Sequence, residues 1–459
     1  MYSPAIRKIL KAKGIKAGDR ISVRKKGKTV EGLLMPKTGF SDPDSVVVKL
    51  DNGYNIGIRH EKGTLISRSK KKEPGEILEE EKFEMGKIRK SLLKVKFDPK
   101  KPKVTLLSVG GTISSRVDYR TGGVYALETP QELLHNIPEL ADIVNLKMRS
   151  PFTKMSEDMD HEDWQELAKH VARELNSGKK GVIITHGTDT LHYTAAALSF
   201  FLGNLSKPVV LVGSQRSSDR GSSDAGMNLI CASHVATGKI AEVGTCMHGS
   251  TNDDYCHFIR GTKVRKMHTS RRDAFRPINE SPLTRVWPDG KTEVMNRNHR
   301  TRGEGKVEVD ARFEPRVALI KVYPGSDPDM IEYYVKKGYR GFVLEVPGLG
   351  HAPTKVARKP WTEIIKKYTE KGITFVCAPQ TIYGRINPNV YTNLRLLYHD
   401  AGAIPGEDML PETAYVKLGW VLGHTRDPKK VREMMLTNYA GEITRRTEMD
   451  TFSDEGLNE

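Results

Sequence analysis

The sequence predicts an α/β protein: a two-domain parallel-sheet body preceded by a small N-terminal β-barrel. Three observations predict it. From Val104 onward, continuous apolar runs alternate with helical stretches, the pattern of strands covered on both faces by crossover helices. Before residue 69, short alternating segments are separated by turn residues, the pattern of a small barrel. Between the two lies a charged stretch with few aromatics.

The elements follow in order. Within residues 1–68, Asp19–Arg24 alternates, Thr29–Met35 is apolar-rich and Ser45–Leu50 runs through three valines. Asp51-Asn52-Gly53 then supplies residues that tolerate positive φ in a tight hairpin, and Tyr54–Ile58 returns. Residues 69–103, with Lys70-Lys71-Lys72 and Glu79-Glu80-Glu81, read as a charged linker. Residues 104–285 form the first α/β domain. Its strands Val104–Val109, Gly181–Thr185 and Pro208–Val212 end in Gly110-Gly111, His186-Gly187-Thr188 and Gly213-Ser214, and helices are predicted over Asp163–Leu175 and Ala225–Ala236. Residues 286–313 read as a linker hairpin turning at Trp287-Pro288-Asp289-Gly290. Residues 314–446 form the second α/β domain, with strands Val317–Val322, Gly341–Val346 and Ile373–Cys377. The polar, acidic residues 447–459 are expected to be a flexible tail. The chain has no internal repeat.

Composition bounds the function. A chain of 459 residues with 37% hydrophobic and 29% charged side chains can bury a sizeable core and is not disordered. It has no apolar run of about 18 residues, which excludes a transmembrane helix. The first residues interrupt every apolar stretch with lysine or arginine, so no secretory signal is expected and a cytoplasmic location is. Lys+Arg 74 against Asp+Glu 57 gives a net charge of +17. Charge of that size supports either attraction to polyanions such as RNA or a solvated lysine-rich surface. Cys231, Cys246, Cys256 and Cys377 contain no CxxC pair and fit no common zinc spacing, so buried thiols and no metal are expected.

Gly27-Lys28-Thr29 is not a P-loop, because Ser22 stands where the upstream glycine is required. His161-Glu162-Asp163-Trp164-Gln165 lacks the second histidine of a zinc protease. The stronger signals fall where strands end, at the carboxyl edge where such sheets carry their chemistry. Thr112 follows Gly110-Gly111, and Thr188 and Asp189 follow the strand at Gly181–Thr185. Threonine and aspartate are also common helix caps, which is the plain alternative for both. Lys266, seven residues before Asp273-Ala274-Phe275, is a candidate base for a threonine hydroxyl if it is desolvated near a carboxylate. Ser156 and Glu157 are candidates to grip the amino and carboxylate ends of a free amino acid, or else mark a helix start ahead of Trp164.

Taken together, Gly110-Gly111-Thr112-Ile113, His186-Gly187-Thr188-Asp189-Thr190, Gly213-Ser214-Gln215-Arg216, Asp224-Ala225-Gly226-Met227-Asn228-Leu229 and Lys266 ahead of Asp273-Ala274-Phe275 resemble the motifs of the asparaginase/glutaminase family, in order. The resemblance runs from about Val104 to Ala440 and includes Gly348-Leu349-Gly350-His351-Ala352-Pro353 and Asp408-Met409-Leu410-Pro411-Glu412. Within that family, the N-terminal β unit and the basic balance are most similar to the D subunit of archaeal glutamyl-tRNA(Gln) amidotransferase.

The resemblance implies an asparaginase-like body with Thr112, Thr188, Asp189 and Lys266 as catalytic residues and Ser156 and Glu157 as substrate-binding residues. It implies a threonine nucleophile, either Thr112 or Thr188, with Tyr119 or Tyr125 near the first. The substrate would be glutamine or asparagine. No cofactor is implied for this chain; ATP and Mg²⁺ belong to the step catalysed by a partner E subunit. That partner would use the released ammonia to convert Glu-tRNA(Gln) to Gln-tRNA(Gln), with tRNA(Gln) reached through the complex and the chain at least a homodimer. The alternatives are a free cytoplasmic L-asparaginase with an N-terminal extension and a non-catalytic RNA-binding protein on the same scaffold.

Overall fold

The computed structural model describes residues 2–35, 42–50, 55–69, 98–111, 113, 115–117, 124–126, 133, 137, 139–216 and 223–452. By their contacts these residues form two compact units. One holds the N-terminal sheet with the segments 112–138 and 214–226, and the other holds the rest.

The N-terminal sheet has five antiparallel strands: β1 (Arg20–Lys25), β2 (Lys28–Leu34), β3 (Ser45–Lys49), β4 (Asn55–Arg59) and β5 (Leu65–Arg68). The expected small barrel takes the form of a ladder ordered β4-β3-β2-β1-β5, with β4 and β5 at its edges. The β3–β4 hairpin pairs Lys49 with Asn55, while its Asp51-Asn52-Gly53 turn lies outside the described residues. A helix the sequence reading did not anticipate, α1 (Pro4–Ala12), opens the chain with proline in its first turn. Its Ile6 and Leu10 join Ile21, Val23, Leu34, Val46, Val48 and Ile66 in the core of this sheet.

The larger unit is built on an eight-stranded sheet. Its parallel part comprises β6 (Lys103–Ser108), β9 (Asn145–Arg149), β10 (Gly181–Thr185), β12 (Val209–Val212) and β13 (Val243–His248). The antiparallel pair β7 (Ser115–Val117) and β8 (Val124–Ala126) belongs to the smaller unit, and β11 (Leu202–Gly203), in the larger one, lies outside this sheet. The sheet is not wholly parallel, as expected from sequence, but mixed. β14 (Cys256–Arg260), β17 (Thr284–Val286) and β18 (Thr292–Val294) extend it antiparallel beyond β13. The expected hairpin around Trp287 is therefore the edge of this sheet. The intervening β15 (Val264–Lys266) and β16 (Phe275–Pro277) form a hairpin of their own.

Of the parallel strands, β6, β10 and β12 are buried at nearly every position, as strands covered on both faces are, while the edge strand β9 buries only Leu146. α2 (His161–Asn176) starts at Asp160, whose carboxylate forms a capping box with Asp163. It buries Trp164, Leu167, Ala168, Val171 and Leu175, an i, i+3, i+4, i+7 stripe. α3 (Leu191–Phe201) follows β10, and α4 (Ala225–Thr237) follows β12.

The second domain's sheet is parallel and ordered β20 (Val317–Lys321), β21 (Gly341–Val346), β22 (Thr374–Pro379), β23 (Ile404–Pro405); β19 (Glu308–Val309) pairs with β11 instead. α5 (Met330–Lys336), α6 (Trp361–Thr369), α7 (Pro411–His424) and α8 (Pro428–Leu436) complete it. Phe342, Leu344, Trp361, Ile365 and Phe375 lie at its core. Residues 449–451 of the expected tail form a short helical turn, and the Phe452 ring meets Tyr383 edge-on at 5.3 Å. No described helix is long and apolar enough to cross a membrane.

Candidate active site

Parallel register brings three strand ends together. β6 and β10 align Ser108 with Thr185, and β10 and β12 align Thr185 with Val212. The turns Gly110-Gly111, His186-Gly187-Thr188 and Gly213-Ser214 therefore leave the sheet side by side. The first can do so only without side chains. Gly110 and Gly111 have φ of +135° and +86°, a region L residues rarely adopt. A Cβ on Gly111 would lie 2.5 Å from the His186 carbonyl oxygen, and one on Gly110 would strike the Lys154 carbonyl. Gly187 is confined as well, since its Cβ would come within 2.9 Å of Ser156 Oγ.

Thr188 and Asp189 do not cap α3. That position belongs to Thr190, whose hydroxyl instead donates to the Ser156 carbonyl at 2.5 Å. Both side chains are thus free for Lys266. Its Nζ donates to Thr188 Oγ1 at 2.9 Å and to Asp189 Oδ1 at 2.7 Å. The lysine side chain is 10% exposed and the aspartate 67%, so the cluster lies at the boundary between protein and solvent.

Lys266 is the last residue of β15, paired with Phe275 across the hairpin. The turn between them is held by Asp273, which accepts from Arg271 at 2.8 and 2.9 Å and from Arg276 at 2.5 Å. Burial opposes ionisation of Asp273, yet the two guanidiniums keep its carboxyl below the usual range. The Asp273-Ala274-Phe275 motif is therefore the return arm that sets Lys266.

Ser156 is buried in a short helical turn, Ser156–Asp158, and its hydroxyl donates to Glu157 Oε2 at 3.4 Å. The pair opens this short turn and not α2, which begins only after the Asp160 cap. Ser156 is brought against the loop after β10, while Glu157 is exposed beside it. Thr112 and Tyr119 lie outside the described residues, as does the Tyr125 side chain.

Sequence reasoning quoted His186 within a motif but gave it no role. The structure shows it as the lock of the loop. Its Nδ1 lies 2.7 Å from the Gly187 carbonyl and its Nε2 2.9 Å from Thr194 Oγ1. A carbonyl only accepts, so Nδ1 carries the proton and Nε2 accepts from the Thr194 hydroxyl. Burial lowers this imidazole to about 4, so it is neutral near pH 7 and serves as a structural tie. Beside Gly213, Asn228 donates to the Gly213 carbonyl at 3.0 Å and meets His248 Nδ1 at 2.6 Å. In the Gly213–Arg216 motif, Asp224 accepts from the Gln215 and Arg216 N–H groups. The four cysteines are buried and free. No described group of three or more His, Cys, Asp or Glu side chains is placed to hold a metal ion.

Two α/β domains, with a Thr–Lys–Asp cluster at the carboxyl edge of the first sheet, define the class as asparaginase-type amidohydrolase. Comparison with known proteins agrees. Residues 103–300 match the family described as Asparaginase, N-terminal, and residues 316–435 match the Glutaminase/Asparaginase C-terminal domain. Residues 15–67 match the GatD N-terminal domain.

Among solved structures, the thermostable L-asparaginase from Thermococcus kodakarensis superposes with a TM-score of 0.66 at 31% identity, covering 74% of this chain and 99% of that one. L-asparaginase I from Vibrio cholerae gives 0.64 at 28% identity, covering 75% and 99%. The D subunit of glutamyl-tRNA(Gln) amidotransferase from Pyrococcus furiosus is 51% identical over 454 residues, 97% of this chain and 99% of the relative. Its counterpart from Thermococcus kodakarensis is 52% identical over 447 residues, 96% and 97%. The chain belongs to the family of glutamyl-tRNA(Gln) amidotransferase D subunits.

Proposed function

We propose that the chain is the glutaminase component of a tRNA-dependent amidotransferase. It hydrolyses glutamine to glutamate and ammonia, and the ammonia passes to a partner E subunit that converts Glu-tRNA(Gln) to Gln-tRNA(Gln). The observation that carries this reading is the contact of Lys266 with both Thr188 and Asp189, in a chain whose relatives match it end to end.

The chemistry follows from that contact. A threonine hydroxyl is a weak nucleophile until a base removes its proton. With its lone pair free, Lys266 Nζ is placed to take a proton from Thr188, or from a water beside it, across 2.9 Å. Asp189 orients the amine through its own 2.7 Å contact. Attack of a threonine oxygen on the amide carbon gives a tetrahedral intermediate. Its collapse breaks the C–N bond, and the proton held by the lysine leaves with ammonia. Water then cleaves the acyl ester by the reverse proton path and releases glutamate. Thr112 is the second candidate nucleophile, with Tyr119 or Tyr125 assisting. Ser156 and Glu157 take the amino and carboxylate groups of the substrate.

These steps need no metal or cofactor in this chain. ATP and Mg²⁺ serve the partner, which activates the glutamate carried on tRNA. The protein works in the cytoplasm, as at least a homodimer, with tRNA(Gln) bound through the complex. A free L-asparaginase is the second reading, favoured by the asparaginase structures that cover 74% of the chain; the match of residues 15–67 to the GatD N-terminal domain favours the first.

One experiment separates them: ammonia release from glutamine and from asparagine by the full chain, alone and with the E subunit and Glu-tRNA(Gln). Glutamine turnover stimulated by partner and charged tRNA supports the amidotransferase. Full asparagine turnover by the chain alone, unaffected by either, supports the free asparaginase.

A further inference from the structure

The motif Asp408–Glu412 carries no role in the chemistry above, yet it lies against the strand that bears Lys266. Lys263 Nζ donates to Asp408 Oδ2 at 2.7 Å and to the Asp408 carbonyl at 3.2 Å, with both side chains fully buried. Two residues on, Arg265 pairs with Glu412 Oε1 at 2.9 Å. Thr413 Oγ1 donates to the Thr262 carbonyl at 3.0 Å. On the return arm, Asn279 Nδ2 donates to the Asp408 carbonyl at 3.2 Å.

The strand's alternation gives these contacts a meaning. Successive side chains of a strand point to opposite faces. Arg265, inside β15, lies on the face that meets the entrance to α7 in the second domain, and Lys263, in the bend just before the strand, reaches the same segment. Val264 is on the other face, in the core, and so is Lys266, at Thr188 and Asp189. The partners Asp408 and Glu412 are four residues apart, and Pro411 starts the helix between them. The segment 408–413 thus holds the base of the hairpin, at Thr262, Lys263 and Asn279, and its first arm at Arg265 beside Lys266.

We propose that Asp408 and Glu412 are positioning residues for the catalytic lysine: through Lys263 and Arg265 the second domain sets where Lys266 Nζ stands relative to Thr188. A bonded base must sit at hydrogen-bond distance from the proton it takes, and displacement of about 1 Å can cost about 100-fold in rate. The second domain is then part of the reaction geometry of the first. This inference rests on the assignment of Lys266 to the chemistry.

The test uses the full chain assembled with its E subunit, assayed for ammonia release from glutamine. Glu412→Gln and Arg265→Met each remove one charge of the more exposed pair and are the primary variants. Each is expected to lower kcat about tenfold or more while the glutamine KM changes less than about twofold. The double variant is expected to be little worse than either single one, because the two act as one unit. Arg265→Lys, which keeps the charge, is expected to recover most of kcat. Thermal melting of each variant separates misfolding from misplacement, and a kcat loss seen only in variants that have melted by the assay temperature overturns the proposal. So does a kcat within about twofold of the parent in folded Glu412→Gln and Arg265→Met. The parallel variant Lys266→Met keeps the two readings apart: activity surviving in it overturns the assignment of Lys266 itself, whatever the Glu412 variants do.

Discussion

Thr188 Oγ1 and Lys266 Nζ lie 2.9 Å apart although 78 residues separate them in the chain. The first follows a parallel strand and the second ends a strand of a two-stranded hairpin, so the contact exists only when both are folded and docked.

Replacing Thr112, Thr188, Asp189 or Lys266 with alanine is expected to reduce ammonia release from glutamine by at least about 100-fold, the range of a lost base or nucleophile. The fold should survive in each, and double variants should be little worse than singles. Steady-state assay with circular dichroism checks this; near-parental turnover in Thr188→Ala removes that residue from the mechanism.

Glu157 is exposed and its neighbour Ser156 is buried against Gly187. If Glu157 accepts from the substrate ammonium, Glu157→Gln should raise the glutamine KM about tenfold with a smaller change in kcat, since a charge-assisted bond becomes a neutral one. An unchanged KM places the ammonium elsewhere.

Gly111→Ala combines a clash and a forbidden backbone. Its Cβ would sit 2.5 Å from the His186 carbonyl at φ +86°. The expected loss is about 1–3 kcal/mol of stability, accompanied by loss of activity as the loop after β10 shifts. Gly178→Ala, with φ +85° but open space around it, is the control that carries backbone strain alone. Equal melting temperatures in the two would mean that the close approach at Gly111 costs nothing.

Burial lowers the imidazoles of His186 and His257 to about 4 and of His192 to about 3; at His192 the Arg265 and Lys266 charges add to it. Unfolded histidine titrates near about 6.5. As pH falls, the unfolded chain therefore takes up these protons first. Their contribution to stability is whole above about pH 6.5 and is lost progressively down to about pH 4 for His186 and His257 and about pH 3 for His192. A melting temperature that drops across this window, with a shallower drop in His186→Asn once corrected for its baseline, is the expected result. A flat profile from about pH 7 to about pH 4.5 would show that the imidazoles are protonated in the folded state as well.

The central strands of both domains were legible in the sequence because a strand buried on both faces must be apolar throughout, as Gly181–Thr185 and Gly341–Val346 largely are; the half-exposed edge strand β9 and the short β23 gave no such run. Helices at Asp163–Leu175 and Ala225–Ala236 were legible from local patterning too, the first through apolar residues at helical spacing, and are observed as His161–Asn176 and Ala225–Thr237. α1 was missed because it is only nine residues long and its lysines leave just Ile6 and Leu10 for the core, too short a stripe for its period to show.

By itself, then, the sequence determined the most apolar strands of each domain, and that the Thr112, Thr188 and Gly213 motifs fall where three of them end. Both follow from local patterning, since burial and turn chemistry act over a few residues. Tertiary structure alone decided the antiparallel extension of the first sheet, the cap at Thr190 rather than Thr188, the lock of His186 on Thr194 and the docking of Lys266 on Thr188. Each of these depends on strand register or on where a helix begins to within one residue, and one step of register turns a side chain to the opposite face.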